Sequence, residues 1–234
     1  MGKNMLHRLA ASGLSVAVLL ACAGLVRSDD APTAVDEEPV GHAAGGRTVT
    51  PVNQVLTPLG RQIDLPGLRP QAVALSPDGA LLVVSGKTSE LVVLDPQSGA
   101  IRRRVALPSE DQQLPTSDVV SPQILHPDEA GQLSFTGLIF SHGGDRIYMC
   151  NVEGSIKVFS VAKDGAVTPS HSFALPAADA PRRKAEIPSG LAESPDGKLL
   201  YVCGNLSNRL IELDAATGAM RRTFDVGVAP FDVV

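Results

Sequence analysis

The sequence predicts an all-β fold assembled from repeated four-stranded antiparallel blades. Three observations carry that reading. One block of sequence recurs three times, each copy breaks into short runs of strand-forming residues, and the same turn residues separate the runs. The first copy is Pro70–Leu75, Ser76-Pro77-Asp78-Gly79, Leu81–Gly86, Leu91–Asp95, Ser98-Gly99 and Ile101–Pro108. The third is Pro188–Leu191, Ser194-Pro195-Asp196-Gly197, Leu200–Gly204, Leu210–Asp214 and Thr217-Gly218. The middle copy is looser: Gly137–Ser141, Gly143-Gly144-Asp145, Ile147–Asn151 and Ile156–Phe159. A blade of this kind has two apolar faces and cannot hide both alone, so blades must stack around an axis, as in a β-propeller.

From the N-terminus, Lys3, His7 and Arg8 precede the apolar run Leu9–Val26, which ends near Ala21-Cys22-Ala23. A charged start, an apolar middle and small residues at the cut read as a secretory signal peptide over residues 1–23. Two processings are open. Cleavage after Ala23 releases the chain to the periplasm or the medium. Leu19-Leu20-Ala21-Cys22 is similar to a bacterial lipobox, in which Cys22 would carry a lipid, the one membrane attachment expected. Residues 24–50 are rich in Pro, Gly, Ala and acid (Asp29, Asp30, Asp36, Glu37, Glu38) and read as a disordered tether. Residues 51–234 form the partial propeller.

Within it, Thr57–Pro66 is similar to the last strand of the first copy, an orphan strand that would complete the final blade of a ring. Each copy then supplies strands A to D. The A–B turn is Ser-Pro-Asp-Gly, where Pro fixes φ and Gly accepts a positive φ. The C–D turn is Asp-x-x-x-Gly. The expected B strands are Leu81–Ser85, Ile147–Cys150 and Leu200–Cys203. Val228–Val234 repeats Leu68–Ala74 and opens a fourth copy. Three blades plus one strand make an incomplete ring with an apolar blade face left open, so the sequence reads as the N-terminal part of a longer protein.

The motifs resemble the YVTN-type repeat of bacterial propellers (YncE-like and lactonase-like). The family tetrad stands here as Val83-Val84-Ser85-Gly86, Tyr148-Met149-Cys150-Asn151 and Tyr201-Val202-Cys203-Gly204. The resemblance covers Pro70 to Val234. A WD-type sequence is disfavoured because the chain has no Trp. The resemblance implies an exported repeat module for ligand or protein interaction, in some relatives followed by an alkaline-phosphatase-like phosphoesterase domain. The alternative it implies is a propeller-type lactonase similar to 6-phosphogluconolactonases.

Composition narrows the chemistry further. A net charge of −5 gives no support for nucleic-acid binding. Cys150 and Cys203 occupy the same B-strand position in successive copies, so they point the same way around the ring and do not face each other for a disulfide. Gly-x-Ser-x-Gly, Walker and His-Glu-x-x-His motifs are absent, as is Cys-x-x-Cys-His, and no cofactor or metal is implied.

The two long D-to-A connections point to one functional end. Ser109–Ser134 carries His126 and Asp128 beside Asp118 and Glu129. Ala177–Ile187 carries Arg182-Arg183-Lys184, a strip suited to a small anion through charge-assisted hydrogen bonds. His126 with Asp128 could serve as an acid–base pair or as two metal ligands at the same ligand-binding end. His142 stands at the opposite end, where the sister copies have Pro, and is given no chemical role. His171 falls on an outer D strand and is expected to be exposed.

Overall fold

The computed structural model describes residues 38–52, 54–109, 133–178, 180–181 and 183–234, with only the backbone of residues 133–135. The signal peptide with Cys22, the loop holding His126 and Asp128, and Arg182 lie outside the described residues. The chain divides into two compact units between Gln62 and Ile63.

The first unit holds an antiparallel sheet of β1 (Gly41–Ala43), β2 (Arg47–Val49) and β3 (Val55–Leu56). Composition alone assigns residues 41–49 to the tether. Locally, Gly45 and Gly46 supply the positive φ of a tight reversal, and Thr48 and Val49 favour strand.

The second unit is three four-stranded antiparallel blades: β4 (Pro70–Leu75) to β7 (Ile101–Ala106), β8 (Leu133–Phe140) to β11 (Val167–Ala174), and β12 (Pro188–Glu193) to β15 (Met220–Asp225). Their B strands are β5 (Leu82–Gly86), β9 (Arg146–Asn151) and β13 (Leu199–Gly204), as the repeat predicts. Their C strands are β6 (Glu90–Leu94), β10 (Ser155–Val161) and β14 (Arg209–Asp214). Strand order within each blade follows the chain, no ring closes, and no helix occurs among the described residues. A strands of adjacent blades pack together while D strands splay apart, which gives each blade its wedge.

One bulge recurs in all three C–D ladders, at Val93/Leu94, Val158/Phe159 and Glu212/Leu213, and adds the local twist a radial stack needs.

The A–B turn is held by a repeated clip. The Ser76 hydroxyl donates to Asp78 at 2.5 Å and accepts from the Leu81 N–H at 2.9 Å. Ser194 does the same with Asp196 and Leu199. In the middle blade the carboxylate stands two positions later in the chain, yet Asp145 reaches the Ser141 hydroxyl at 2.8 Å, and Ser141 accepts from Arg146. Gly79, Gly144 and Gly197 all sit near φ +70° and close these turns.

The core lies between blades. Val83, Leu91 and Val105 of the first blade pack with Ile147, Met149 and Phe159 of the second. Tyr148, Ile156 and Phe173 of the second pack with Leu200, Val202 and Ile211 of the third. Cys150 and Cys203 are free and buried, and Cys150 donates to the Ser189 carbonyl at 3.2 Å.

Three expectations are corrected. Thr57–Pro66 forms no D strand; Leu65 and Leu68 instead pack over Val84, Val92 and Leu94 on the far side of the first blade. His171 is buried, because its strand turns that face toward the third blade, with its ring centroid 4.8 Å from that of Phe173. The far face of the third blade is not plainly apolar. Glu212, where the sister copies carry Val93 and Val158, pairs with Arg222 at 3.0 Å, and Arg222 lies over the Phe224 ring.

Candidate functional site

At the end of the blades that carries the D–A and B–C connections, the basic strip is only partly available. The Arg183 guanidinium turns onto the second blade's B–C turn. It donates to the Val152 and Ala185 carbonyls and pairs with Glu153 at 3.4 Å. Arg183 is therefore a clamp on that turn. Lys184 is exposed, and its carbonyl accepts from the Ala178 N–H. Close by, Glu186 is buried; its Oε1 accepts from the Ile187 and Leu206 N–H groups, each at 2.9 Å. The equivalent residue in the first copy is Leu68. Glu186 thus ties the connection to the third blade's B–C turn.

The two described grooves open at the other end, where the A–B and C–D turns lie. Each has a volume of about 430 Å³. One lies between the first and second blades, among Asp78, Arg102, Asp145, Lys163 and Asp164. The other lies between the second and third, among His142, Arg146, Glu193, Asp196, Lys198 and Arg221. Gly143 and Asp145 line both, so the grooves are contiguous across the middle turn.

The second groove contains a pair that the sequence reading missed. The Glu193 carboxylate accepts from the His142 N–H at 2.6 Å and lies 2.8 Å from His142 Nδ1. Glu193 is nearly buried, whereas the His142 side chain is 58% exposed. The Tyr148 hydroxyl lies 3.5 Å from the other Glu193 oxygen, and burial pushes its phenol up, which keeps it a donor. The available signal was a comparison of the copies with one another: Glu193 stands where they have Leu75 and Phe140, and His142 where they have Pro77 and Pro195.

Several charges around this groove are paired with one another. Arg221 pairs with Asp214 at 2.5 Å, and this, with the turn N–H groups, holds the Asp214 carboxyl down at about 2. Lys198 pairs with Asp196 at 3.3 Å, and Asp196 is also held low by the Ser194 hydroxyl. No group of three or more metal-ligating side chains occurs among the described residues.

No protein-family profile and no curated protein matches the chain. Solved structures do match. The WD40 repeats of RRP9 align over 71% of this chain and 41% of their own, at 14% identity and a TM-score of 0.51. Kuenenia stuttgartiensis hydrazine synthase aligns over 74% and 41%, at 19% identity and 0.50. A candidate 6-phosphogluconolactonase from Bacteroides uniformis aligns over 82% and 56%, at 14% identity and 0.51. Such identities show the fold alone. Blades and comparisons together define a β-propeller architecture, and this chain spans 41% to 56% of the length of these structures.

Proposed function

We propose that this chain is an exported β-propeller repeat module that binds a small ligand or a protein, and that it forms the N-terminal part of a longer protein. The observation that carries the binding role is the pair of contiguous grooves, built from turns that the repeated serine–aspartate clips hold. Export rests on the signal-peptide pattern of residues 1–23, with lipidation at Cys22 as the alternative processing. No helix among the described residues is long and apolar enough to cross a membrane. Chemistry, in this reading, belongs to a further domain, of the phosphoesterase class that the YVTN-type resemblance implies.

The second reading is a propeller-type lactonase, favoured by an imidazole held by a carboxylate at an open groove. One experiment separates the two. The purified chain is heated with panels of sugars, organic anions and lactones, while lactone opening is followed by acid release. A module gains stability with a bound ligand, by about 2.7 kcal/mol at a hundredfold excess over Kd, and turns nothing over. Lactone turnover by the pure chain would replace the module reading with the enzymatic one.

A further inference from the structure

The three copies serve as internal controls on one another. The residue before the turn serine is Leu75, Phe140 or Glu193, and the residue after it is Pro77, His142 or Pro195. The two departures belong to different blades, yet they meet across one seam at 2.6 and 2.8 Å. Neither is needed to close its own turn, because the Ser141–Asp145 and Ser194–Asp196 clips already do so. A carboxylate facing Nδ1 fixes the proton there and leaves Nε2 as an acceptor, on a ring that lines the groove. The first groove, between equivalent turns, has no such pair.

The remaining lining selects the ligand class. Arg146, Lys198 and Arg221 stand among Asp145, Glu193, Asp196 and Asp214, an excess of one negative charge, so a strongly charged ligand gains little from either sign. The lining mixes polar groups with apolar surface in comparable amounts, which suits neither a wholly apolar nor a purely ionic ligand. What suits mixed donors and acceptors is a molecule whose groups each donate and accept, meaning several hydroxyls. The volume of about 430 Å³ falls in the range of small-molecule sites.

We propose that the groove between the second and third blades binds a neutral polyhydroxylated molecule of the sugar class, with His142 and Lys198 as recognition residues. The proposal rests on the binding-module reading and names its site and ligand class.

The test is an NMR titration of the full chain with glucose, galactose, maltose and trehalose, with gluconate and glucosamine as charged controls. The expected result is saturable shifts at the His142 ring and at the Gly143 and Gly197 amides, with Ala80 and Gly165 of the first groove unmoved. The exposed His142→Gln variant should bind about tenfold more weakly, as when one hydrogen bond in a site is lost. His142→Pro combined with Glu193→Leu restores the residues of the sister copies and should abolish binding. If that double variant fails to fold, His142→Gln alone decides.

Absence of saturable shifts with all four sugars overturns the proposal, as does gluconate binding about tenfold more tightly than glucose. Undiminished sugar binding in His142→Gln overturns it too, and shows the pair to be a blade-to-blade stitch. If an organic anion from the thermal panel stabilises the chain while no sugar binds, the site proposal falls and the module reading stands. If no compound of any class stabilises it, both fall.

Discussion

At the scale of single residues, the turn serines do more than their small size suggests. Each is buried and holds one carboxylate and one backbone N–H. Ser194→Ala leaves the Leu199 N–H without its acceptor and should cost about 1–2 kcal/mol in urea unfolding. Arg183→Ala removes a clamp on the Val152 carbonyl and should cost about 1 kcal/mol, with no effect on anion binding. His171 gives the chain a pH dependence of its own. Burial, and then the nearby Arg146 guanidinium, hold its pKa down at about 4. The folded state therefore resists protonation that the unfolded state accepts. Stability from this source is complete above about pH 6.5 and falls as pH drops toward 4, by up to about 3 kcal/mol. His171→Phe should flatten the denaturation midpoint across that window. The serines were legible in the sequence because they recur. Burial of His171 was not, because which face of a D strand meets the next blade depends on packing and not on the strand's own alternation.

At the scale of elements, the C–D turns hold two acid-sensitive carboxylates. Asp95 and Asp214 each cap two turn N–H groups with one oxygen and pair with an arginine, Arg102 or Arg221, through the other. Both carboxyls are held below their ordinary value, Asp95 chiefly by the Ser98 N–H and Asp214 chiefly by Arg221. Their contribution is present above about pH 4 and is lost as pH falls toward 2. Replacing both with Asn should flatten an acid titration of stability below pH 4, read by circular dichroism.

Glycines in the A–B and C–D turns are not equivalent. At Gly197 an added Cβ meets open space, so Gly197→Ala carries only the strain of φ +69°, about 1 kcal/mol. At Gly218 the same atom would stand 2.1 Å from the Phe173 ring, so Gly218→Ala should be clearly more damaging in the same denaturation assay. Strand order and turn type were legible from the repeat, whereas the Asp–Arg pairs were not, because an arginine on an exposed D strand carries no signal of which carboxylate it meets. Thr57–Pro66 misled because its composition suits a strand, while a strand exists only where a partner ladder is available.

At the scale of the molecule, Val73 and Leu75 on β4, and Phe224, Val228 and Phe231 from β15 onward, leave apolar side chains in water. Residues 29–234 should run as oligomers on size-exclusion chromatography, and a monodisperse monomer would contradict that. The fold was legible at this scale because three copies over-determine it. The groove end was not, because loop length pointed to the D–A connections, whereas the grooves come from short turns facing one another across seams.

A different quantity follows from Gly137 and Gly190, which share one place on the A strands. A Cβ there would stand 2.2 Å from the Ser189 carbonyl in one seam and 2.5 Å from the Asp232 Cα in the next. The A strands of the second and third blades therefore approach as closely as backbone allows, Gly190 meets the segment around Asp232 as closely, and the first copy has Ala72 at this place. The width of that contact sets the angle between successive blades, and the angle sets how many blades complete a circle. In two of the three copies, a hydrogen atom in place of a methyl group thus bears on an integer.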